Sequence, residues 1–100
     1  MKPVILHAEA EGELAASSDF YESRRQGLGI EFEEAAKNAL RLISLRPEQF
    51  PKAKYGSQRF AMRRFPFVIH FVELPDRIWV IAFAHASRKP GYWRSRLQNE

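Results

Sequence analysis

The feature that most constrains the fold is a change of hydrophobic period near the middle of the chain. Up to Ile43, apolar side chains recur every three to four residues, as they do on one face of an α-helix. After Phe50-Pro51 the sequence instead alternates at spacing two, or runs continuously through β-branched and aromatic residues, as strands do. Helices followed by a block of strands favour an α+β fold.

The first half predicts one strand and two helices. An apolar run at residues 4–7 predicts the strand, and the Ala- and Glu-rich stretch from Ala8 predicts the first helix. A second apolar stripe runs from Leu28 to Ile43 and ends before Pro47, which cannot continue a helix. Because only Gly27-Leu28-Gly29 separates the two patterns, we expect an antiparallel helical hairpin.

The second half predicts an antiparallel meander of three strands at residues 59–65, 67–72 and 78–84. The last strand is apolar on both faces, so we expect it in the middle of the sheet. The basic tail from residue 85 to residue 100 is expected to form a final helical turn that closes over the sheet. The prediction is therefore a single α+β domain over residues 1–100, with an N-terminal strand and a helical hairpin packed on a small antiparallel sheet.

Composition excludes several classes of protein. The 100 residues contain no cysteine, which rules out a disulfide framework, a thiol nucleophile and a zinc–thiolate site. No apolar run approaches the roughly 18 residues of a membrane span, and acidic residues follow the first seven too closely for a secretory signal. We therefore expect a cytoplasmic domain that does not associate with membranes.

Charge is distributed unequally along the chain. Residues 1–50 contain six Lys and Arg against nine Asp and Glu, a net charge of −3, whereas residues 51–100 contain ten against three, a net charge of +7. Together these give the overall +4. A basic half points to a polyanion or an acidic protein as partner; the alternative is a basic face that is merely solvated.

Most catalytic signatures are missing. The glycines at positions 27 and 29 lack the spacing and the following Lys-Ser/Thr of a phosphate-binding loop. His7, His70 and His85 fall in three different strands without metal-ligand spacing, so we expect no metal and no cofactor. The carboxylates lie on helical stripes that should face water, which argues against a hydrolase with paired acids.

The basic, aromatic second half remains as the candidate site. Guanidinium groups hold phosphates bidentately and aromatic rings stack on bases, and cations with one proton-moving group would also suit phosphodiester cleavage without a metal. The alternative is that Tyr92 and Trp93 cap the core while the arginines are solvated, which we favour for Trp93 and leave open for Tyr92. The candidate residues for binding a target or nucleic acid are Arg59, Arg63, Arg64, Arg88, Lys89, Trp93 and Arg96.

An ordered set of short motifs carries a family resemblance over nearly the whole chain. These motifs are residues 8–14 (AEAEGEL), Tyr21-Glu22, residues 27–32 (GLGIEF), residues 47–51 (PEQFP), residues 63–69 (RRFPFVI), Ala84-His85 and residues 88–93 (RKPGYW). With this set the sequence resembles the RelE/ParE superfamily of toxins from bacterial type II toxin–antitoxin modules, often labelled plasmid stabilisation proteins. The resemblance implies a helical hairpin against a small antiparallel sheet.

The superfamily has two branches that differ in target. One resembles ribosome-dependent endoribonucleases that cut messenger RNA without a metal, and for that branch the resemblance implies Tyr92 as a catalytic residue. His85 and Arg88 match no motif of the branch and are catalytic candidates only as substitutes for arginines that the sequence lacks. However, Val68 and Ala86 stand where that branch carries arginines. The other branch poisons DNA gyrase, and its last strand commonly ends in an apolar residue and a histidine, as here.

The resemblance therefore implies a growth-inhibiting toxin that binds DNA gyrase, with the endoribonuclease as the alternative and a member that has lost toxicity as a third possibility. It also implies a partner, a small cognate antitoxin. A small basic domain with an aromatic sheet is in addition a suitable receptor for an acidic, amphipathic segment that folds on binding.

Overall fold

The computed structural model describes residues 1–98, and its elements follow the predicted order. Two helices and four strands are accompanied by short 3₁₀ turns: Pro47–Gln49 and Lys54–Gly56 follow the second helix, and Arg94–Gln98 follows the last strand. The helices and strands are β1 (Val4–Leu6), α1 (Ala8–Arg24), α2 (Leu28–Leu45), β2 (Gln58–Ala61), β3 (Phe67–Glu73) and β4 (Ile78–His85).

The strands form one sheet in the order β1-β4-β3-β2. The strands β2, β3 and β4 form the predicted antiparallel meander, and β4 lies inside the sheet as expected. The sheet as a whole is mixed, because the N-terminal strand β1, whose pairing the sequence did not specify, pairs with β4 in parallel. Parallel pairing needs a long crossover connection, which the two helices and the first two meander strands supply here.

The helical hairpin turns at Gly27, which has the positive φ of 87° that only glycine adopts without strain. The Glu22 carboxylate accepts hydrogen bonds from the backbone N–H groups of Gly27 at 2.9 Å and Gly29 at 3.0 Å. At Gly29 an added Cβ would lie 2.7 Å from the carbonyl oxygen of Ser18. The two helices can therefore approach closely only because position 29 has no side chain.

The sheet is covered on both faces. On one face Ile43 of α2 shares a core cluster with Ile69 and Phe71 of β3, and all three are fully buried. Phe32 of α2 packs against Phe67 of β3, with ring centroids 5.2 Å apart. On the other face the tail covers β4, and Trp93 is 2% exposed. The predicted closure of the tail over the sheet is confirmed, and so is the interpretation of Trp93 as a core residue.

A β-bulge interrupts the regular alternation of side chains along β4. In the pairing with β3, Phe71 lies opposite Val80 and His70 opposite Ala82, so Ile81 is an extra residue. The bulge places both Ile81 and Ala82 in the cluster beneath Trp93.

The strand predicted at residues 59–65 is shorter than expected, because β2 ends at Ala61. Beyond it the chain bends, and Phe65 folds toward the helices instead of continuing the alternation. Its ring lies edge-on to Phe32 with centroids 5.1 Å apart and 4.9 Å from that of Tyr21. Burial of this ring (4% exposed) in an aromatic cluster outweighs the strand pattern of the sequence.

Neither α1 nor α2 combines the length and apolar character that a membrane crossing requires.

Candidate functional site

A cleft of about 310 Å³ opens on the face of the sheet opposite the helices. Its floor is formed by the outward-facing side chains at the ends of β3 and β4. One wall is the segment before β2, and the other is the tail that follows β4. The residues that line it are Lys52, Ala53, Lys54, Arg59, Val68, His70, Ala84, His85, Ala86, Arg88, Lys89, Pro90, Gly91, Tyr92 and Trp93.

The cleft is strongly cationic. Five of its lining residues are Lys or Arg, namely Lys52, Lys54, Arg59, Arg88 and Lys89, and the lining contains no Asp or Glu. Like charges gathered around a concave surface raise the local concentration of anions and speed their association. The cleft therefore suits phosphates or carboxylates of a macromolecular partner.

The floor of the cleft is uncharged at neutral pH. The imidazole of His70 packs on the indole of Trp93 with ring centroids 4.6 Å apart, and its buried Nδ1 has no hydrogen-bond partner among residues 1–98. Burial, with a smaller contribution from the Arg59 charge, lowers the pKa of His70 to about 4. The cations of the cleft consequently belong to its rim.

His85 lies where β4 ends, at the edge of the cleft. Its Nδ1 accepts a hydrogen bond from the backbone N–H of Ser87 at 3.0 Å, so the proton of the neutral ring resides on Nε2. The ring also meets Phe67 edge-on with centroids 5.3 Å apart.

Tyr92 is tied to α1 through its hydroxyl group. The hydroxyl donates to Glu13 Oε2 at 2.6 Å, and the guanidinium of Arg88 lies over the ring, 3.8 Å from its centroid. Burial and the Glu13 carboxylate raise the pKa of Tyr92 far above its ordinary value. The ring lines the cleft, whereas the hydroxyl is engaged by the helix.

Arg96 belongs to the same network and is only 7% exposed. It donates from Nη1 and Nη2 to the two carboxylate oxygens of Glu13, each at 2.9 Å, and from Nη1 to the carbonyl oxygen of Ile81 at 3.0 Å. This bidentate contact raises the pKa of Arg96. The expectation that Arg96 would present its charge to a target therefore has to be corrected: its charge is held inside the protein.

The expectation that the helical carboxylates face water is wrong for Glu13, because only 17% of its side chain is exposed. In addition to Tyr92 and Arg96, it accepts from the backbone N–H of Phe83 at 3.0 Å. A signal was present in the sequence, since position 13 lies one turn from Ala10 and Ser17 on the predicted packing face of α1.

The tail wall is braced by Tyr55, the one described non-glycine residue with a positive φ, at 60°. Its ring meets Trp93 edge-on at 6.0 Å, and the guanidinium of Arg94 lies 4.6 Å from its centroid. A Cβ at Gly91 would lie 2.9 Å from the Tyr55 ring. This close packing holds the tail against the segment that precedes β2.

The structure gathers six of the candidate residues at the cleft and separates the other three. Arg59, His85, Arg88, Lys89, Tyr92 and Trp93 line it. Arg63 and Arg64 instead line a groove on the helical side of the sheet, where Arg64 forms an ion pair with Glu31. Lys52 and Lys54 also line the cleft but were not among the candidates, although two lysines at spacing two a few residues before a predicted strand are a usable signal.

Among residues 1–98, no group of three or more His, Asp or Glu side chains is placed to hold a metal ion. The cleft thus offers cations, one exposed imidazole and one buried imidazole. Chemically, such a site can bind an anionic group and neutralise its charge.

Comparison with known proteins identifies the fold. No family model matches the sequence, and no curated protein matches it. Among solved structures, a chain of the chromosomal ParDE TA system from P. aeruginosa is similar, with a TM-score of 0.63 and 16% identity over 85% of this chain and 96% of that chain. The chain therefore has a ParE-like α+β fold, which confirms at the level of the fold the resemblance found in the sequence.

Proposed function

We propose that this chain is the toxin of a type II toxin–antitoxin module, that it stops growth by binding DNA gyrase, and that a cognate antitoxin neutralises it. Two independent observations support a toxin. The motifs of the sequence resemble the RelE/ParE superfamily, and the fold is similar to that of a chain from a ParDE system. The choice of gyrase as the target rests in addition on the hydrogen bonding of the Tyr92 hydroxyl.

The engagement of the Tyr92 hydroxyl is the observation that favours binding over cleavage. A phenol that takes a proton from a ribose hydroxyl must be free to accept it, with a pKa near the working pH. Here the hydroxyl donates to Glu13 at 2.6 Å, and its pKa is raised. Moreover, Val68 and Ala86 line the cleft with no charge at the two positions where the nuclease branch has arginines.

The rim of the cleft is the surface that we assign to the target. Arg59 stands on one side, and Arg88 and Lys89 on the other, with Lys52 and Lys54 adding to the same field. Such a surface would recognise an acidic or phosphate-bearing region. Trp93 is buried beneath it and supports the rim without touching a partner.

A ribosome-dependent endoribonuclease is the second candidate, and one observation favours it. His85 and all five cations share one cleft, so an imidazole could move a proton while the rim holds a phosphodiester. If the chain is such an endoribonuclease, His85 would be the catalytic residue and Tyr92 would only support the wall of the cleft.

Controlled expression in bacterial cells, with and without the product of the adjacent gene, separates these candidates. Arrest with intact messages and a DNA-damage response is the expected outcome, and co-expression of the neighbour should restore growth. Messages cut within translated regions would replace gyrase binding by the endoribonuclease. Unimpaired growth at a verified level of the protein would remove the toxin assignment and favour a member that has lost toxicity.

A further inference from the structure

We infer that Tyr55 is a positioning residue, which fixes the distance between the two cationic walls of the cleft so that one anionic partner can contact both walls at once. The inference rests on the proposed function, in which this cleft receives anionic groups of the target, and it adds the residue that sets the spacing of the charges. Three cations stand on the side of β2 and two on the tail wall, namely Lys52, Lys54 and Arg59, and Arg88 and Lys89.

The backbone of Tyr55 has a conformation that glycine adopts readily and tyrosine does not. Its φ of 60° and ψ of 33° lie in the left-handed region, where a bulky side chain is strained. Two hydrogen bonds close the turn around it: Ala53 N–H donates to the carbonyl of Ser57 at 2.8 Å, and the Ser57 hydroxyl donates to the carbonyl of Lys54 at 2.7 Å. A strained residue that the turn retains points to a role for its side chain.

The ring of Tyr55 contacts the tail, although its own segment precedes β2. The ring meets Trp93 edge-on with centroids 6.0 Å apart, and the guanidinium of Arg94 lies 4.6 Å from its centroid. Gly91 is so close that a Cβ at that position would lie 2.9 Å from the ring. Because the ring is still 48% exposed, it adds little to the core, and the main effect of these contacts is to join two segments.

The tail wall is anchored from two sides. The Tyr92 hydroxyl donates to Glu13 at 2.6 Å and so ties the wall to α1. Among residues 1–98, no backbone hydrogen bond joins residues 87–91 to residues 52–58, so the contacts of Tyr55 hold the wall toward β2. Loss of the ring would let the tail wall, with its two cations, shift away from the three cations on the side of β2.

The number of cations that act together can be measured from the salt dependence of binding. A nucleic acid strand releases condensed counter-ions for each phosphate that a protein cation neutralises, so the slope of affinity against salt counts these contacts. With the walls held by Tyr55, one strand can meet all five cations. With the walls apart, the same strand can lie only against the three on the side of β2.

The first test measures the binding of a fluorescein-labelled oligothymidine to the full chain by anisotropy at several salt concentrations. The slope of log affinity against log salt should be about −3.5 for the wild type and about −2 for Tyr55→Gly, as expected for five and three neutralised phosphates. At low salt, Tyr55→Gly should bind the strand about fivefold more weakly or less tightly still. Tyr55→Phe keeps the ring and should match the wild type.

Unfolding temperatures separate positioning from a purely structural role. Tyr55→Gly relieves the backbone strain and should unfold close to the wild-type temperature, whereas Tyr55→Ala keeps the strain, loses the ring and should unfold at a lower temperature. Both variants lack the ring and should lose the same affinity for the strand. The control is Phe20→Ala, since Phe20 is 53% exposed and has the Arg24 guanidinium 5.1 Å from its ring centroid. It should change the affinity by less than about twofold.

The second test asks whether Tyr55 acts through the cations of the tail wall. In a chain that carries Arg88→Gln and Lys89→Gln, the tail wall has no cation left to be positioned. Tyr55→Gly should then change the affinity for the strand by less than about twofold. An undiminished effect of Tyr55→Gly in this background would overturn the positioning role.

The outcomes distinguish the inference from the proposed function, because strand binding is measured without reference to toxicity. Equal slopes and affinities for the wild type and Tyr55→Gly would overturn the inference and leave the toxin proposal intact. A wild-type chain that does not bind the strand would overturn the inference together with the assignment of the cleft. Unimpaired growth of expressing cells, combined with the expected change of slope, would remove only the proposed function.

Discussion

The hydroxyl of Tyr92 and the carboxylate of Glu13 are joined by a hydrogen bond of 2.6 Å, although they lie 79 residues apart in the chain. Because Glu13 also holds Arg96 through two further bonds, α1 fixes the tail at two points. The wall of the cleft that carries Arg88 and Lys89 lies between the end of β4 at His85 and the first of these points, Tyr92. A helix on one face of the sheet thus determines where the cations of the other face stand.

Glu13→Gln should destabilise the protein by about 3 kcal/mol, because it leaves the buried Arg96 charge without its counter-ion. Equilibrium unfolding in urea measures the change. The control is Glu9→Gln, since Glu9 lies 3.8 Å from Arg96 with a side chain that is 65% exposed, and its loss should cost less than about 1 kcal/mol. Equal free energies of unfolding for the two variants would contradict the role given to Glu13.

Tyr92→Phe should leave toxicity unchanged while lowering the free energy of unfolding by about 1–2 kcal/mol. The ring and its contact with Arg88 are retained, and only the hydrogen bond to Glu13 is lost. Growth arrest at matched expression, combined with urea unfolding, measures both effects. A stable Tyr92→Phe protein that no longer arrests growth would restore Tyr92 as a catalytic residue.

His70 should make folding stability fall as the pH drops below about 6.5. Its pKa of about 4 in the folded protein is depressed from 6.5, so in this interval the unfolded chain binds a proton that the native protein does not. The stabilisation from the neutral ring is fully present above pH 6.5, and declines toward pH 4 by at most about 1.4 kcal/mol per pH unit. His70→Phe should remove this part of the slope.

The titration of His70 can also be followed directly in the folded protein. Proton NMR of the imidazole signals provides a direct reading. A His70 ring that titrates near 6.5 would contradict its burial against Trp93.

The double change Arg88→Gln and Lys89→Gln should raise, by about tenfold or more, the concentration of toxin needed to inhibit its target. These residues supply two of the five cations of the cleft. The double change Lys37→Gln and Arg46→Gln removes the same net charge from an exposed position of α2 and from the residue that follows it, and should have less than about a twofold effect. Dose–response curves of the two proteins would contradict the assignment of the cleft if they coincided.

Much of the fold could be predicted because local patterns and packing agree. The stripe from Leu28 to Ile43 packs as a helix on the sheet, and Gly27 turns the hairpin with a positive φ. The hydrophobic pattern gave wrong or incomplete predictions where tertiary contacts decided the structure. Phe65 lies within the predicted strand, out of phase with Phe60 and Met62, yet its ring is buried on the helical side against Phe32. The parallel pairing of β1 with β4 joins residues that are far apart in the chain, and the hydrophobic period of a short segment cannot predict such a pairing.

The candidate site was only partly predictable for a related reason. Basic residues of the second half could be recognised by type, and six of the nine candidates do meet at the cleft. Whether a cation faces water depends on its partner in space. The neighbouring residues in the sequence do not distinguish Arg96 from Arg94. In the folded protein, however, Glu13 of α1 accepts hydrogen bonds from Arg96 and holds its guanidinium inside. The bulge at Ile81, which helps to bury Trp93, likewise leaves no sign in the local pattern.

DNA supercoiling with purified gyrase and an excess of the purified chain measures the proposed inhibition directly. Supercoiling should be lost as the chain is added, the Arg88→Gln and Lys89→Gln protein should inhibit only at higher concentration, and the antitoxin should restore activity. Full supercoiling at saturating amounts of a folded chain that arrests growth in cells would contradict gyrase as its target.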